Sequence, residues 1–154
     1  GSDCGELGRV TVLEANIDDM LSEDLGFFME RAQEKGALDV FFTPVFMKKN
    51  RPAYQLTVLA PQELEAALVS LVFVETSTMG IRRTVVERYT LEREWVDLDS
   101  EFGGVRLKKG VFDGKTVVLS PEFEDLKKIA RQKNLSLKEV RSKINKRVSD
   151  ENFE

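Results

Sequence analysis

The order of strand-like and helix-like segments is the feature that most constrains the fold of this chain. Runs of β-branched and alternating apolar residues predict four strands, and apolar residues at helical spacing predict two helices among them. Ser22 is the expected N-cap of the first helix and Gly36 its expected stop, while Pro61 suits the first turn of the second helix. The four strands are predicted over residues 10–17, 39–47, 54–60 and 81–93.

This β-α-β-β-α-β order predicts an α+β fold, the ferredoxin-like βαββαβ sandwich. With right-handed crossovers, both helices cover one face of an antiparallel sheet. Pro44 cannot donate to a strand ladder, so it favours an edge position for the second strand. The expected sheet order is 4-1-3-2, which places the first strand between the third and the fourth.

The rest of the chain predicts a short β-meander and two C-terminal helices. Asp113-Gly114 is a strong signal for a two-residue hairpin turn, and Ser136 with Glu139 forms a capping box for the last helix. The meander strands are expected over residues 95–98, 105–112 and 116–119, and the first of the two helices over 121–134. The predicted organisation is a ferredoxin-like domain at 9–93 and a hairpin or meander with a two-helix appendage at 94–154.

Residues 1–8 are expected to be a tag scar and a disordered lead. Gly1-Ser2 is typical of the scar left when a purification tag is removed, and Cys4, the single cysteine, cannot form an internal disulfide. No apolar run is long enough to span a membrane. A reducing, cytoplasmic location is therefore expected.

The absence of histidine limits the chemistry of the chain. It excludes serine–histidine and cysteine–histidine nucleophilic mechanisms, and it removes the commonest ligand of transition metals. Any metal held by this chain alone needs oxygen ligands, which favours Mg²⁺ or Mn²⁺ over Zn²⁺ or Ni²⁺.

Three polar segments are expected to meet at one end of the predicted sheet. The first strand ends at Asn16-Ile17-Asp18-Asp19. The hairpin between the second and third strands turns at residues 48–52, and residues 75–83 lead into the fourth strand. Tracing the strand directions places all three at the same end, with the carboxylates between two basic elements. Carboxylate oxygens beside lysine and arginine side chains suit a metal-bound ligand that carries phosphate.

Each of these segments also has a purely structural interpretation, and taken singly none decides between the two. The first segment is explained by an Asx-type turn and the second by a solvated hairpin tip. The third is explained by a helix end followed by a glycine turn.

Residues 127–147 carry nine Lys or Arg residues and one acid, Glu139. A solvated outer face is favoured there over nucleic-acid binding, because the segment lacks interleaved aromatic residues.

The ordered series of motifs resembles the LarC family of nickel-insertion proteins, which make the nickel-pincer cofactor of lactate racemase. The resemblance covers nearly the whole chain and is to the C-terminal domain of the family, without its N-terminal part. It is carried by residues 13–20, 36–40, 43–44, 47–52, 75–82 and 121–125.

The resemblance implies a CTP-dependent nickel chelatase, or cyclometallase, that inserts nickel into pyridinium-3,5-bisthiocarboxylic acid mononucleotide. It implies that this domain binds CTP with Mg²⁺ or Mn²⁺, that the full-length protein takes nickel as a substrate, and that it forms homo-oligomers. The chemistry of the side chains then assigns the metal to Asp18, Asp19, Asn16 and Glu75. It assigns the nucleotide and its phosphates to Lys48, Lys49, Arg51, Thr76, Thr78, Arg82 and Arg83.

No catalytic residue is assigned from the sequence. The alternative is a ferredoxin-like regulatory or oligomerisation domain that binds a small molecule without catalysis, since this fold hosts many functions. Such a domain would need no metal.

Overall fold

The computed structural model describes residues 5–151, which divide into two compact units. One unit holds residues 8–88, and the other holds residues 89–151 together with residues 5–7. None of the helices in the described range is long and apolar enough to cross a membrane.

The predicted α+β architecture and its sheet order are confirmed. Four antiparallel strands lie in the order β2-β3-β1-β4, which places β2, with Pro44, at an edge. The elements are β1 (Glu6–Ile17), α1 (Ser22–Glu34), β2 (Asp39–Met47), β3 (Arg51–Ala60), α2 (Glu65–Glu75) and β4 (Arg82–Thr90).

The core of this unit lies between the sheet and the two helices. Leu13 and Ile17 of β1 are buried together with Phe28 of α1, and Leu68 of α2 is fully buried in the same cluster. Because side chains alternate between the two faces of a strand, the even-numbered residues at the end of β1 point away from the helices. This alternation governs how the polar residues at the end of β1 are distributed.

The second unit is a three-stranded meander, in the order β5-β6-β7, followed by two helices. Asp113 and Gly114 both have positive φ, at 51° and 73°, as the predicted hairpin turn requires. Ser136 caps the last helix by accepting a hydrogen bond from the Glu139 amide at 3.0 Å. The elements are β5 (Glu92–Ser100), β6 (Gly103–Phe112), β7 (Lys115–Pro121), α3 (Phe123–Lys133) and α4 (Leu137–Asp150).

Two of the boundaries that differ from the sequence prediction change an expected element. Strand β1 already begins at Glu6, so the expected disordered lead is wrong for residues 6–8, while Cys4 lies outside the described residues. The strand expected over residues 81–93 is two strands, with a break at Leu91. Alternating residues continue on both sides of Leu91, and no glycine or proline marks the break, so the pattern could not show it.

The expected cap of α1 is also wrong. The helix starts at Ser22 itself, and the N-cap position is Leu21, whose side chain makes no capping hydrogen bond. The Leu21 carbonyl instead accepts from the amides of Asp24 and Leu25. The expected stop is correct, because Gly36 adopts φ +96°, where an added Cβ would also lie 2.7 Å from Leu64.

Candidate functional site

The end of β1 distributes its polar side chains between two sides of the sheet. Asn16 follows the alternation and faces away from the helices, where Arg82 Nη2 donates to its Oδ1 at 2.9 Å. Arg82 Nε also donates to Glu14 Oε2 at 3.4 Å. Arg82 is thus paired with β1 on the open face of the sheet, away from the α1–α2 side.

Asp18 lies beside the β2–β3 hairpin. Arg51 Nη1 donates to Asp18 Oδ2 at 3.5 Å, and the two side chains are 65% and 33% exposed. Asp18 and Arg51 line a cavity of about 100 Å³ together with Met47, Lys48 and Lys49. Within residues 5–151, neither lysine forms an ion pair, so both ammonium groups are available to an anion.

The hairpin backbone that presents these lysines is unusual. Lys49 and Asn50 both adopt left-handed conformations, with φ of 62° and 57°. Asparagine tolerates this region, whereas a lysine there is disfavoured by contact between its Cβ and the backbone. The unfavourable conformation at Lys49 is the kind of local strain that is concentrated at ligand-binding positions.

Asp19 contacts the loop that precedes β4 through a hydroxyl that sequence reasoning did not select. Ser77 Oγ donates to Asp19 Oδ1. The two predicted hydroxyl contacts are made to nearby backbone instead: Thr76 Oγ1 donates to the Val72 carbonyl of α2 at 2.7 Å, and Thr78 Oγ1 donates to the Gly80 carbonyl at 2.9 Å. In the sequence, the one signal for Ser77 was its place in a run of three hydroxyl residues, between Thr76 and Thr78.

Arg83 and Glu75 do not join the acidic end of β1. Arg83 is the neighbour of Arg82 and therefore points to the helix side, where it donates to Glu65 of α2. That hydrogen bond, with the negative charge of Glu65, raises the pKa of the Arg83 guanidinium. No hydrogen bond or ion pair within the described part of the chain reaches the Glu75 carboxylate.

The oxygen atoms at the end of β1 can hold a hard cation only if a bound ligand supplies further oxygen atoms. Among residues 5–151, no group of three or more His, Cys, Asp or Glu side chains could hold a metal ion. Mg²⁺, however, is commonly bound by one or two carboxylates together with substrate phosphates. Asp18 and Asp19, adjacent in the chain at the end of β1, fit that requirement, whereas Asn16 is committed to Arg82 on the other face.

Comparison with solved structures places the fold among known domains. A protein of Methanopyrus kandleri AV19 shares the fold with a TM-score of 0.62 at 23% identity, over 88% of this chain and 86% of that one. A closer match in sequence is described as LarC2, the C-terminal domain of a cyclometallase involved in the synthesis of the NPN cofactor of lactate racemase, in the apo form. It superposes with a TM-score of 0.84 at 33% identity, over 94% of this chain and 99% of that one.

The sequence comparisons identify the family. The family described as nickel insertion protein matches residues 3–141, and the chain belongs to it. A pyridinium-3,5-bisthiocarboxylic acid mononucleotide nickel insertion protein of Acetivibrio thermocellus is 50% identical over 140 residues, 91% of this chain and 34% of that protein. The same name is carried by a Thermotoga petrophila protein that is 36% identical over 146 residues, 95% of this chain and 37% of that one. The chain thus spans about a third of the length of these curated relatives.

Proposed function

We propose that this chain is the nucleotide-binding part of a CTP-dependent nickel chelatase, a cyclometallase. The full-length protein would insert nickel, as a substrate, into pyridinium-3,5-bisthiocarboxylic acid mononucleotide in the cytoplasm. The observation that carries the proposal is the cavity in which Asp18 and Arg51 meet Lys48 and Lys49, two lysines that form no ion pair with any residue the structure describes. Membership of the nickel insertion family, with the name that its relatives carry, supports this choice of substrate.

Different side chains bind the phosphates and the metal ion of the nucleotide complex. Lys48, Lys49 and Arg51 neutralise phosphate oxygens, with arginine able to make two parallel hydrogen bonds. Asp18 and Asp19 would hold Mg²⁺ or Mn²⁺, which would supply positive charge to offset the negative charge of the triphosphate. Ser77 orients Asp19 by donating to one of its oxygens.

Nickel insertion itself needs residues beyond this chain. With no histidine in the sequence, the chain offers a nickel ion few of the nitrogen and sulfur ligands that it prefers. The proposed partners are therefore an N-terminal domain of the full-length protein and further copies of the chain in a homo-oligomer. The chain alone is expected to bind CTP without completing the insertion.

Calorimetric titration with CTP, in Mn²⁺ and then with the metal chelated, tests the proposal. Metal-dependent binding that is lost in the Asp18→Ala/Asp19→Ala variant is the expected result. Lys138→Ala/Lys146→Ala, which removes two charges from the basic tail, is the control and should bind CTP as the unaltered chain does. Absence of CTP binding with and without metal would contradict the proposal, and metal-independent binding would favour a regulatory domain.

A further inference from the structure

The three-stranded sheet of the second unit carries a cavity of about 210 Å³ on the face that points away from α3 and α4. Leu107 of β6 is buried in the core that this sheet forms with the two helices. Because successive residues of a strand alternate between its faces, Lys108 and Gly110 belong to the opposite, open face. Both residues line the cavity.

The floor of this cavity is a hollow over Gly110. Gly110 pairs with Arg93 of β5 on one side and with Val118 of β7 on the other. An added Cβ at Gly110 would lie 2.9 Å from Leu91 Cδ1 and 3.1 Å from Val118 Cβ, so a larger residue does not fit there. The missing side chain leaves space between the side chains of Arg93 and Lys108.

The lining of the cavity has an excess of positive charge. Arg93 and Lys108 are exposed, and neither forms an ion pair with any residue in the range 5–151. Lys109 also lines the cavity but is paired with Glu94 at 3.6 Å. Glu92 is the one acid among the described lining residues, and its position next to Arg93 directs its side chain to the other face of the sheet. Two cations are therefore available to an acidic ligand.

An accessible aromatic ring lies beside these cations. Trp95 is 53% exposed and lies directly across from Lys108 on the open face. The Arg106 guanidinium lies 5.8 Å from the centre of the Trp95 ring and is itself held by Asp125. Arg106 belongs to the next row of the sheet, on the side away from Gly110. The ring is thus supported from one side, while the hollow lies on the other.

The charges and the size of the cavity favour a small ligand over a polyanion. Asp97 and Asp99 continue the open face of β5 beyond Trp95, so a nucleic acid crossing the sheet would meet two negative charges. The volume of about 210 Å³ is below the roughly 300 Å³ at which sites for drug-sized ligands begin. One ring with its acidic substituents matches this space.

We propose that the cavity over Gly110 binds a planar aromatic ring that carries carboxylate or thiocarboxylate groups. Arg93 and Lys108 bind the acidic groups, and Trp95 packs against the ring. The inference rests on the proposed function for the source of the ligand, because pyridinium-3,5-bisthiocarboxylic acid mononucleotide carries two such groups on one ring. A pyridinium ring is cationic, and the face of a tryptophan attracts cations. The substrate ring and the triphosphate of CTP would then bind to different units of the chain.

Fluorescence titration tests the site directly, since Trp95 is the only tryptophan of the chain. The probes are pyridine-3,5-dicarboxylate, nicotinate and cyclohexane-1,3-dicarboxylate. Pyridine-3,5-dicarboxylate should change the Trp95 emission at the lowest concentration. Nicotinate has one acidic group fewer and should bind about tenfold more weakly. Cyclohexane-1,3-dicarboxylate keeps both acidic groups but has no aromatic ring, and it should also bind about tenfold more weakly.

Substitutions assign the binding to named side chains, with calorimetry as the readout. Arg93→Gln and Lys108→Gln should each weaken the binding of pyridine-3,5-dicarboxylate by about tenfold. Lys115→Gln is the matched control, because Lys115 is an exposed lysine of the same sheet that does not line the cavity. Trp95→Phe should keep the preference for the aromatic diacid over the cyclohexane diacid, and Trp95→Ala should lose it.

Thermal melting checks that the variants fold. The comparison of the three probes needs no substitution, so it decides the role of the ring even if Trp95→Ala fails to fold. Equal affinities for the aromatic and the cyclohexane diacid would overturn the ring site. A loss in Lys115→Gln as large as that in Lys108→Gln would assign the binding to general surface charge and would also overturn it.

A parallel titration with CTP and Mn²⁺ separates this inference from the proposed function. Binding of CTP without binding of pyridine-3,5-dicarboxylate would reject the ring site and leave the proposed function standing. Binding of the dicarboxylate without binding of CTP would reject the proposed function and leave a site for aromatic acids on the second unit. Failure of both ligands to bind would reject both.

Discussion

Arg51 donates a hydrogen bond to Asp18 across a distance of 3.5 Å, and this contact joins the end of β1 to the β2–β3 hairpin. Both side chains are accessible to solvent, so the ion pair contributes at most about 1 kcal/mol to stability. A ligand can therefore separate the pair at small cost. In the proposed complex, the Arg51 guanidinium leaves Asp18 and binds phosphate. The Asp18 carboxylate then binds a metal ion in place of Arg51.

Arg51→Ala should weaken triphosphate binding while leaving the fold nearly unchanged. Loss of a charged hydrogen bond to phosphate corresponds to about 1–3 kcal/mol of binding free energy. Calorimetry with CTP and Mn²⁺ measures the affinity, and urea denaturation measures stability. Arg83→Ala is the matched control, because Arg83 is paired with Glu65, and an equal effect of both substitutions would count against the hairpin as the phosphate site.

Lys49→Gly should stabilise the protein and weaken CTP binding at the same time. Glycine adopts the left-handed conformation of this position without the cost that lysine incurs, and the net gain is expected to be about 1 kcal/mol. Urea denaturation and CTP titration of one preparation measure both effects.

Lys48→Gly provides the comparison for this prediction, since Lys48 is not among the described residues with positive φ. It should lose affinity without gaining stability. Equal stability changes in the two variants would show that the backbone at Lys49 is not strained.

Chelation of the divalent metal should affect the unaltered chain more than the Asp18→Asn/Asp19→Asn variant. Without metal, the two carboxylates of the unaltered chain repel the triphosphate. The neutral side chains of the variant neither hold the metal nor repel the triphosphate. CTP titration with and without chelator measures the difference. Glu75→Gln is the control, and if it reproduced the behaviour of the double variant, Glu75 would belong to the metal site.

Asp125→Asn should destabilise the second unit and change its response to acid. Asp125 accepts from the Arg106 amide at 2.9 Å, from Nε at 3.2 Å and from Nη2 at 3.1 Å. These side-chain hydrogen bonds with Arg106, with further help from its amide and charge, lower the pKa of Asp125 against the opposing effect of burial. Loss of the charge is expected to cost about 1–3 kcal/mol.

The sign of the pH dependence follows from that lowered pKa. A carboxylate with a lower pKa in the folded state contributes stability above its unfolded pKa, about 3.9, and the contribution is lost as the pH falls through the folded value. Trp95, the only tryptophan, lies 5.8 Å from the Arg106 guanidinium and reports on this unit by fluorescence during urea denaturation. If Asp125→Asn lost as much stability between pH 5 and pH 2 as the unaltered chain does, that result would contradict the assignment to Asp125.

Local features that determine their own backbone geometry were predictable from sequence. Asp113-Gly114 adopts the expected positive φ angles, and Ser136 makes the expected cap, because each depends on residues within a few positions. Pro44 lies on the predicted edge strand, since its missing amide proton excludes a central position. The Leu91 break lacks such a local signal and was therefore not predicted.

The element order and the composition of the chain determined the α+β fold, the sheet order and the end of the sheet at which the acidic and basic segments lie. Only the tertiary structure decided which of these side chains meet. A strand sends successive residues to opposite faces, so Arg82 reaches Asn16 while its neighbour Arg83 reaches Glu65. The tertiary structure likewise brought Ser77, rather than the flanking threonines, to Asp19, because such contacts depend on packing between segments distant in sequence.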